Sequence, residues 1–107
     1  MRPADCKTMT ELRSEIDRLD RALVALLAER AAFIDRAAAI KAEVGLPARI
    51  EARVEEVVAN VRAEALRHGL PCEQIETIWR SLIDWSIARE DKLLAQDATV
   101  SGAGKAP

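Results

Sequence analysis

The chain has 107 residues, a formal net charge of −2 with both signs interspersed, and only three aromatic side chains. That length holds one domain with a modest core, and the balanced charge lacks the basic footprint that phosphate backbones demand, which excludes nucleic acid as a partner. Ala, Leu, Glu and Arg dominate and there is no Tyr, a composition that selects helices over sheets, so the expected fold class is all-α. In chain order, the opening Met1–Asp5 leads into no apolar signal segment, and no apolar stretch approaches transmembrane length. A cytoplasmic address without membrane contact is therefore expected. Thr8 and Glu11 form a capping-box pattern. From there apolar residues recur at Leu12, Ile16, Leu19, Leu23, Leu26, Phe33, Ala37 and Ile40, with no Pro or Gly until Gly45, which predicts one helix of roughly 33 residues. Pro47 opens a second, with a seam of Ile50, Val54, Val57, Val61 and Ala65 and an end at His68–Gly69, where the histidine suits a helix C-terminus. Pro71 starts a third, with a seam of Ile75, Trp79, Leu82, Ser86, Glu90 and Leu93. Residues 1–94 then form the domain, and the small, polar, aperiodic stretch 95–107 reads as a disordered tail.

The first helix is long for so small a protein. It spans about 50 Å at 1.5 Å per residue, against a diameter of roughly 35 Å for a compact domain of this size. Its apolar stripe must be covered, and the simplest closed solution is a two-fold homodimer with the long helices antiparallel. A plain coiled coil is the alternative, disfavoured because Gly45–Pro47 and Gly69–Pro71 break the chain into a bundle.

Several polar residues fall on these seams. Arg30 lies between Leu26 and Phe33, and Lys41, eleven residues on, returns to nearly the same face. Ser86 and Glu90 sit one turn apart on the third seam, and Arg53 flanks the second. A buried charge without a partner costs several kcal/mol, so three cations and one carboxylate turned toward a small core point to a bound anion. The structural alternatives are an internal salt bridge from Arg30 or Arg53 to Glu90, or long side chains that reach out to water. Cys6 and Cys72 are isolated, with no metal-chelating spacing, and no cofactor is expected.

The run Leu12–Arg13, Ile16–Asp17 and Leu19, then Leu26–Leu27–Ala28–Glu29–Arg30, Ile40–Lys41, Arg53, Ile83, Ser86 and Glu90 closely resembles the AroQ-class, all-helical chorismate mutases. The likeness runs from about Met9 to Leu94 and keeps the family's spacing between the charged positions. The Asp5–Cys6 lead and the aliphatic Val54 also resemble the isochorismate-pyruvate lyase of salicylate biosynthesis. The resemblance implies an intertwined homodimer of three-helix protomers with shared active sites. In it Arg13 of one subunit joins Arg30 of the other on the carboxylates of a small dianionic substrate, Arg53 assists, Lys41 and Glu90 contact the ether oxygen, and Ser86 lines the carboxylate side. Arg13 stands seventeen residues, or about 25 Å, from Arg30 along its own helix, so it cannot serve the same small pocket in cis. Where many members carry an acidic pair for the ring hydroxyl, this chain has Ile50 and Val54, with Glu51 adjacent. The implied activity is the rearrangement of chorismate to prephenate, a pericyclic step that asks for conformational restriction and electrostatic stabilisation and for no nucleophile or metal. Release of pyruvate and salicylate from isochorismate is the alternative, and a non-catalytic helical interaction module the remote one.

Overall fold

The computed structural model describes the backbone of residues 1–105 and the side chains of residues 1–96. After a single 3-10 turn over Pro3–Asp5 come three helices, α1 (Met9–Val44), α2 (Glu51–Arg67) and α3 (Cys72–Lys105). No strand occurs among the described residues. The all-α expectation holds. None of these helices is long and apolar enough to cross a membrane. The chain divides into two compact units, Met1–Phe33 and Ile34–Pro107.

In the first unit, Arg2 and Asp5 cap the short turn, the Arg2 N–H donating to Asp5 Oδ2 at 3.0 Å. The α1 N-terminus follows the capping pattern: the Glu11 N–H donates to Thr8 Oγ1 at 3.1 Å, and the Thr8 hydroxyl donates to Glu11 Oε1 at 3.3 Å. The first of these bonds satisfies a backbone donor that has no partner inside the helix, and the second ties the two side chains together. The apolar seam behaves differently. Ile16, Leu19 and Leu23 are exposed, Leu26 keeps 60 % of its surface in water and Phe33 70 %, so the face marked by the periodicity is not covered within one chain.

In the second unit the helix ends are set by two copies of one motif. Gly45 and Gly69 have φ of +76° and +71°, a region open to glycine at little cost. The Leu46 N–H then reaches back to the Lys41 carbonyl at 2.9 Å, and the Leu70 N–H to the Ala65 carbonyl at 2.8 Å. Each closes a helix with the six-residue hydrogen bond of a Schellman cap. His68 is the C-terminal cap residue of α2, as expected, and is exposed. After Pro71 the chain enters α3 at once, whereas after Pro47 it does not: α2 starts at Glu51, with Ile50 extended at φ −123°, ψ 106° as its N-cap. The expected start at Pro47 is corrected by the three residues Ala48–Ile50, which stay out of the helix. Of these, Ala48 is buried.

Helices α2 and α3 pack on each other through Val54, Val58 and Ile83, with Val57 and Ile87 against them. Burying each of these side chains contributes roughly 1.5–3 kcal/mol. The buried apolar residue of α3 is Ile83 instead of the expected Leu82, which is half-buried. Arg62 and Arg80 tie the same helices along their edge: Arg62 pairs with Glu76 at 2.6 Å and Glu73 at 3.0 Å, and Arg80 with Glu76 at 2.7 Å and Glu55 at 3.1 Å. Hydrogen bonds from Arg80 and Arg62 hold the Glu76 carboxyl below its ordinary range. α3 continues past Ala95, where the third helix was expected to end; the side chains of the expected tail beyond residue 96 lie outside the described residues.

Candidate active site

Lys41 lies in the last turn of α1 and Glu90 far along α3, and the fold of the second unit brings them together. Lys41 Nζ donates to Glu90 Oε2 and to the Ala48 carbonyl, at 2.7 Å each. The side chains are 18 % and 5 % exposed. One partner of this long-range ion pair is nearly removed from water, and it resolves one alternative: Glu90 is paired internally with Lys41, while Arg53 pairs with Glu56. Breaking such a pair by deleting one member leaves a buried charge uncompensated, a cost of about 3–5 kcal/mol. The residues that form it are thus committed to each other or to a ligand that replaces one of them.

Ser86, one turn before Glu90, is likewise buried, and its hydroxyl donates to the Leu82 carbonyl at 2.9 Å. Two polar residues buried one helical turn apart give the inner face of α3 its chemistry. Val54 and Ile83, both buried, supply apolar surface to the same unit.

Arg53 departs from expectation. It is exposed, and its guanidinium pairs with Glu56 on its own helix. The reason is local: residues three apart on a helix face each other, and Glu56 offers a carboxylate there. Glu51, beside Ile50, is exposed and bonded to Arg49. In the first unit Arg30 is half-buried and Arg13 is exposed.

Two features were not foreseen. The Ala48 carbonyl, an acceptor for Lys41, is a backbone group and leaves no side-chain signal in a sequence. Asp35 and Arg89 form a two-point ion pair at 2.6 and 3.0 Å, with the Arg89 guanidinium 5.5 Å from the Trp85 ring centroid. The hydrogen bond from Arg89 holds the Asp35 carboxyl below its ordinary value, against the opposing effect of desolvation. A groove of about 430 Å³ is lined by Asp35, Ala38, Ala39, Ala42, Glu43 and Leu93. Its lining includes neither Lys41 nor Glu90; hydrogen bonding and burial mark the candidate site. Among the described residues no three His, Cys, Asp or Glu side chains converge as a metal site requires.

Comparison with known proteins adds the following. Residues 12–91 match the family described as chorismate mutase type II. A T-protein of Enterobacter agglomerans is 34 % identical over 83 residues, covering 78 % of this chain and 22 % of that protein. A bifunctional chorismate mutase/prephenate dehydratase of Aquifex aeolicus is 32 % identical over 88 residues, covering 79 % of this chain and 24 % of that protein. This chain therefore spans about a quarter of the length of those relatives. An isochorismate pyruvate lyase of Pseudomonas aeruginosa is 30 % identical over 95 residues, covering 88 % of this chain and 92 % of the lyase.

Proposed function

The chain belongs to the chorismate mutase type II family, and from that premise we propose that it converts chorismate to prephenate as a homodimer with shared sites. The observation that supports the proposal is the buried pair of Lys41 and Glu90, a cation and a hydrogen-bonding carboxyl of the kind that suits an ether oxygen gaining charge. In the rearrangement a C–O bond breaks as a C–C bond forms within one molecule, so no group is transferred to the protein. The task is to hold the flexible dianion in its reactive conformation and to stabilise charge on the departing oxygen. Lys41 does the second, with Glu90. Arg30, Arg53 and Ser86, joined by Arg13 of a second copy, hold the carboxylates, because a guanidinium grips a carboxylate in a fixed two-point geometry. Arg53 leaves Glu56 to do so, at little cost, since an exposed ion pair is worth about 0–1 kcal/mol.

The uncovered seam of Ile16, Leu19, Leu23 and Leu26 supports the homodimer: a contiguous apolar face of that kind is the sort of surface a second copy covers. A cytoplasmic location fits the two free thiols, Cys6 and Cys72, which a reducing compartment preserves.

A second reading, isochorismate-pyruvate lyase, is favoured by the match to a lyase over nearly its whole length. In that reaction the C–O bond breaks while a ring hydrogen moves to the methylene of the side chain, giving salicylate and pyruvate. The deciding experiment incubates the purified chain with each substrate in turn. Prephenate as the faster product is expected; salicylate alone transfers the assignment to the lyase, and turnover of neither leaves the helical interaction module.

A further inference from the structure

On the mutase reading, we propose that the corner Gly45–Ala48 is a positioning device for Lys41, fixing its ammonium by both ends of the residue so that one N–H is left aimed for substrate. The two ends of α1 and α2 make this visible. Both helices close with Gly-Leu-Pro, at 45–47 and 69–71. Both glycines have positive φ, and both leucines return the six-residue hydrogen bond. The carbonyl that receives that bond belongs to Lys41 in the first corner and to Ala65 in the second. The motifs part after the proline. The second runs directly into α3, while the first inserts the non-helical Ala48–Ile50 before α2.

That insertion has a chemical consequence. It leaves the Ala48 carbonyl outside any helix, buried with its residue, and accepting from Lys41 Nζ at 2.7 Å. Lys41 is thus held twice by one short loop, through its backbone carbonyl by the Leu46 N–H and through its ammonium by the Ala48 oxygen. An ammonium has three donors. One goes to Ala48 and one to Glu90, and the remaining direction is set before substrate arrives. Lysine brings rotamer entropy that such fixing removes in advance, and a donor already aimed needs no reorganisation as the C–O bond breaks. Gly45, Leu46 and Ala48 touch no substrate in this scheme; they act through Lys41.

The twin corner supplies the control. A methyl group at Gly45 or Gly69 meets nothing within 4 Å, so Gly45→Ala and Gly69→Ala each strain the backbone through positive φ alone and should lower Tm by similar amounts. Only Gly45→Ala displaces the Ala48 oxygen. Its kcat should fall about tenfold with a smaller change in KM, since the contact at stake is made in the transition state. Gly45→Asn, which tolerates the left-handed conformation, should recover most of the loss, and Gly69→Ala should keep the parent kcat. An activity-independent readout follows acetylation of Lys7, Lys41 and Lys92 by peptide mass spectrometry. Lys41 should react more slowly than the other two in the parent and in Gly69→Ala, and faster in Gly45→Ala than in either. Equal kcat for the two alanine variants, or equal Lys41 acetylation in both, overturns the positioning role. A parent chain that turns over no chorismate sinks the mutase reading instead, and the acetylation pattern still decides whether the corner holds Lys41.

Discussion

The N-terminal unit and the unit that follows it are built from the same helical periodicity and put it to opposite use. In Met9–Phe33 the seam is regular, yet Leu19, Leu23, Leu26 and Phe33 stay in water. In the second unit the apolar positions of α2 and α3 meet, so Val54, Val58 and Ile83 are buried, and the same unit keeps a lysine–carboxylate pair largely from solvent. The pattern fixes which face is apolar; only the rest of the chain, or another chain, decides whether that face is covered. A stripe left open in one copy is a statement about assembly, and a polar pair kept closed in one copy is a statement about chemistry.

The sharpest way to break this contrast is to put one lesion in each unit. Arg13→Ala and Lys41→Ala should each lower kcat/KM by about 10²–10³. Mixing the two variants and allowing subunit exchange should restore activity, because one of the two sites in a heterodimer then has both residues intact. Light scattering of the parent should give a mass near twice 11.8 kDa. No recovery on mixing, or a folded monomer at micromolar concentration, would show that the open seam does not complete a neighbour's site.

Glu90 tests what the closed pair is for. A carboxylate only accepts hydrogen bonds, whereas an amide of the same shape both accepts and donates. Glu90→Gln keeps an oxygen for Lys41 and offers a donor to an ether oxygen, so it should retain substantial turnover, while Glu90→Ala should lose about 10²-fold. The measurement is kcat of both variants against the parent. If Gln is as poor as Ala, Glu90 serves only as the anionic anchor of Lys41.

Stability should separate the units as well. Ile83→Ala removes a core side chain of the second unit and should cost about 2–5 kcal/mol, read as a fall in Tm that barely changes its dependence on protein concentration. Leu26→Ala should cost less, and its effect should shrink at higher concentration if a second copy covers Leu26, since mass action then restores the associated state. Equal concentration dependence in both variants would remove the distinction.

Much of the fold was legible because helices announce their ends locally. Thr8 and Glu11, and the two glycines with their following prolines, carry their signals in side chains and in allowed φ. What stayed hidden was whatever depends on distance. Pro47 opens a helix in isolation, yet the Ala48 carbonyl finds a better partner in Lys41, and the helix waits until Glu51. Arg53 lies on the right strip of α2, but a carboxylate one turn along the same helix takes it. The site was legible in part for the same reason. Lys41, Ser86 and Glu90 declare themselves as polar residues on apolar seams, whereas Ala48 contributes through its backbone, and the pairing of Asp35 with Arg89 joins residues fifty-four positions apart.

That pair provides the smallest expected effect and the finest probe of the second unit. The Asp35 carboxyl is held below the ordinary aspartate range, chiefly by the hydrogen bond from Arg89, with burial acting the other way. A carboxyl with a depressed folded-state value contributes stability that is present above the unfolded value and is lost as pH falls through the folded one. Parent and Asp35→Asn should therefore differ at pH 6, the parent having the higher urea midpoint, and should converge as the solution is taken below the ordinary aspartate range. Both groups of the pair remain partly in water, so the difference should also narrow in high salt, as it does for screened surface charges. A gap that persists unchanged at low pH would mean that Asp35 acts through packing in the groove it lines, and that charge at this position contributes nothing to holding Arg89 beside Glu90.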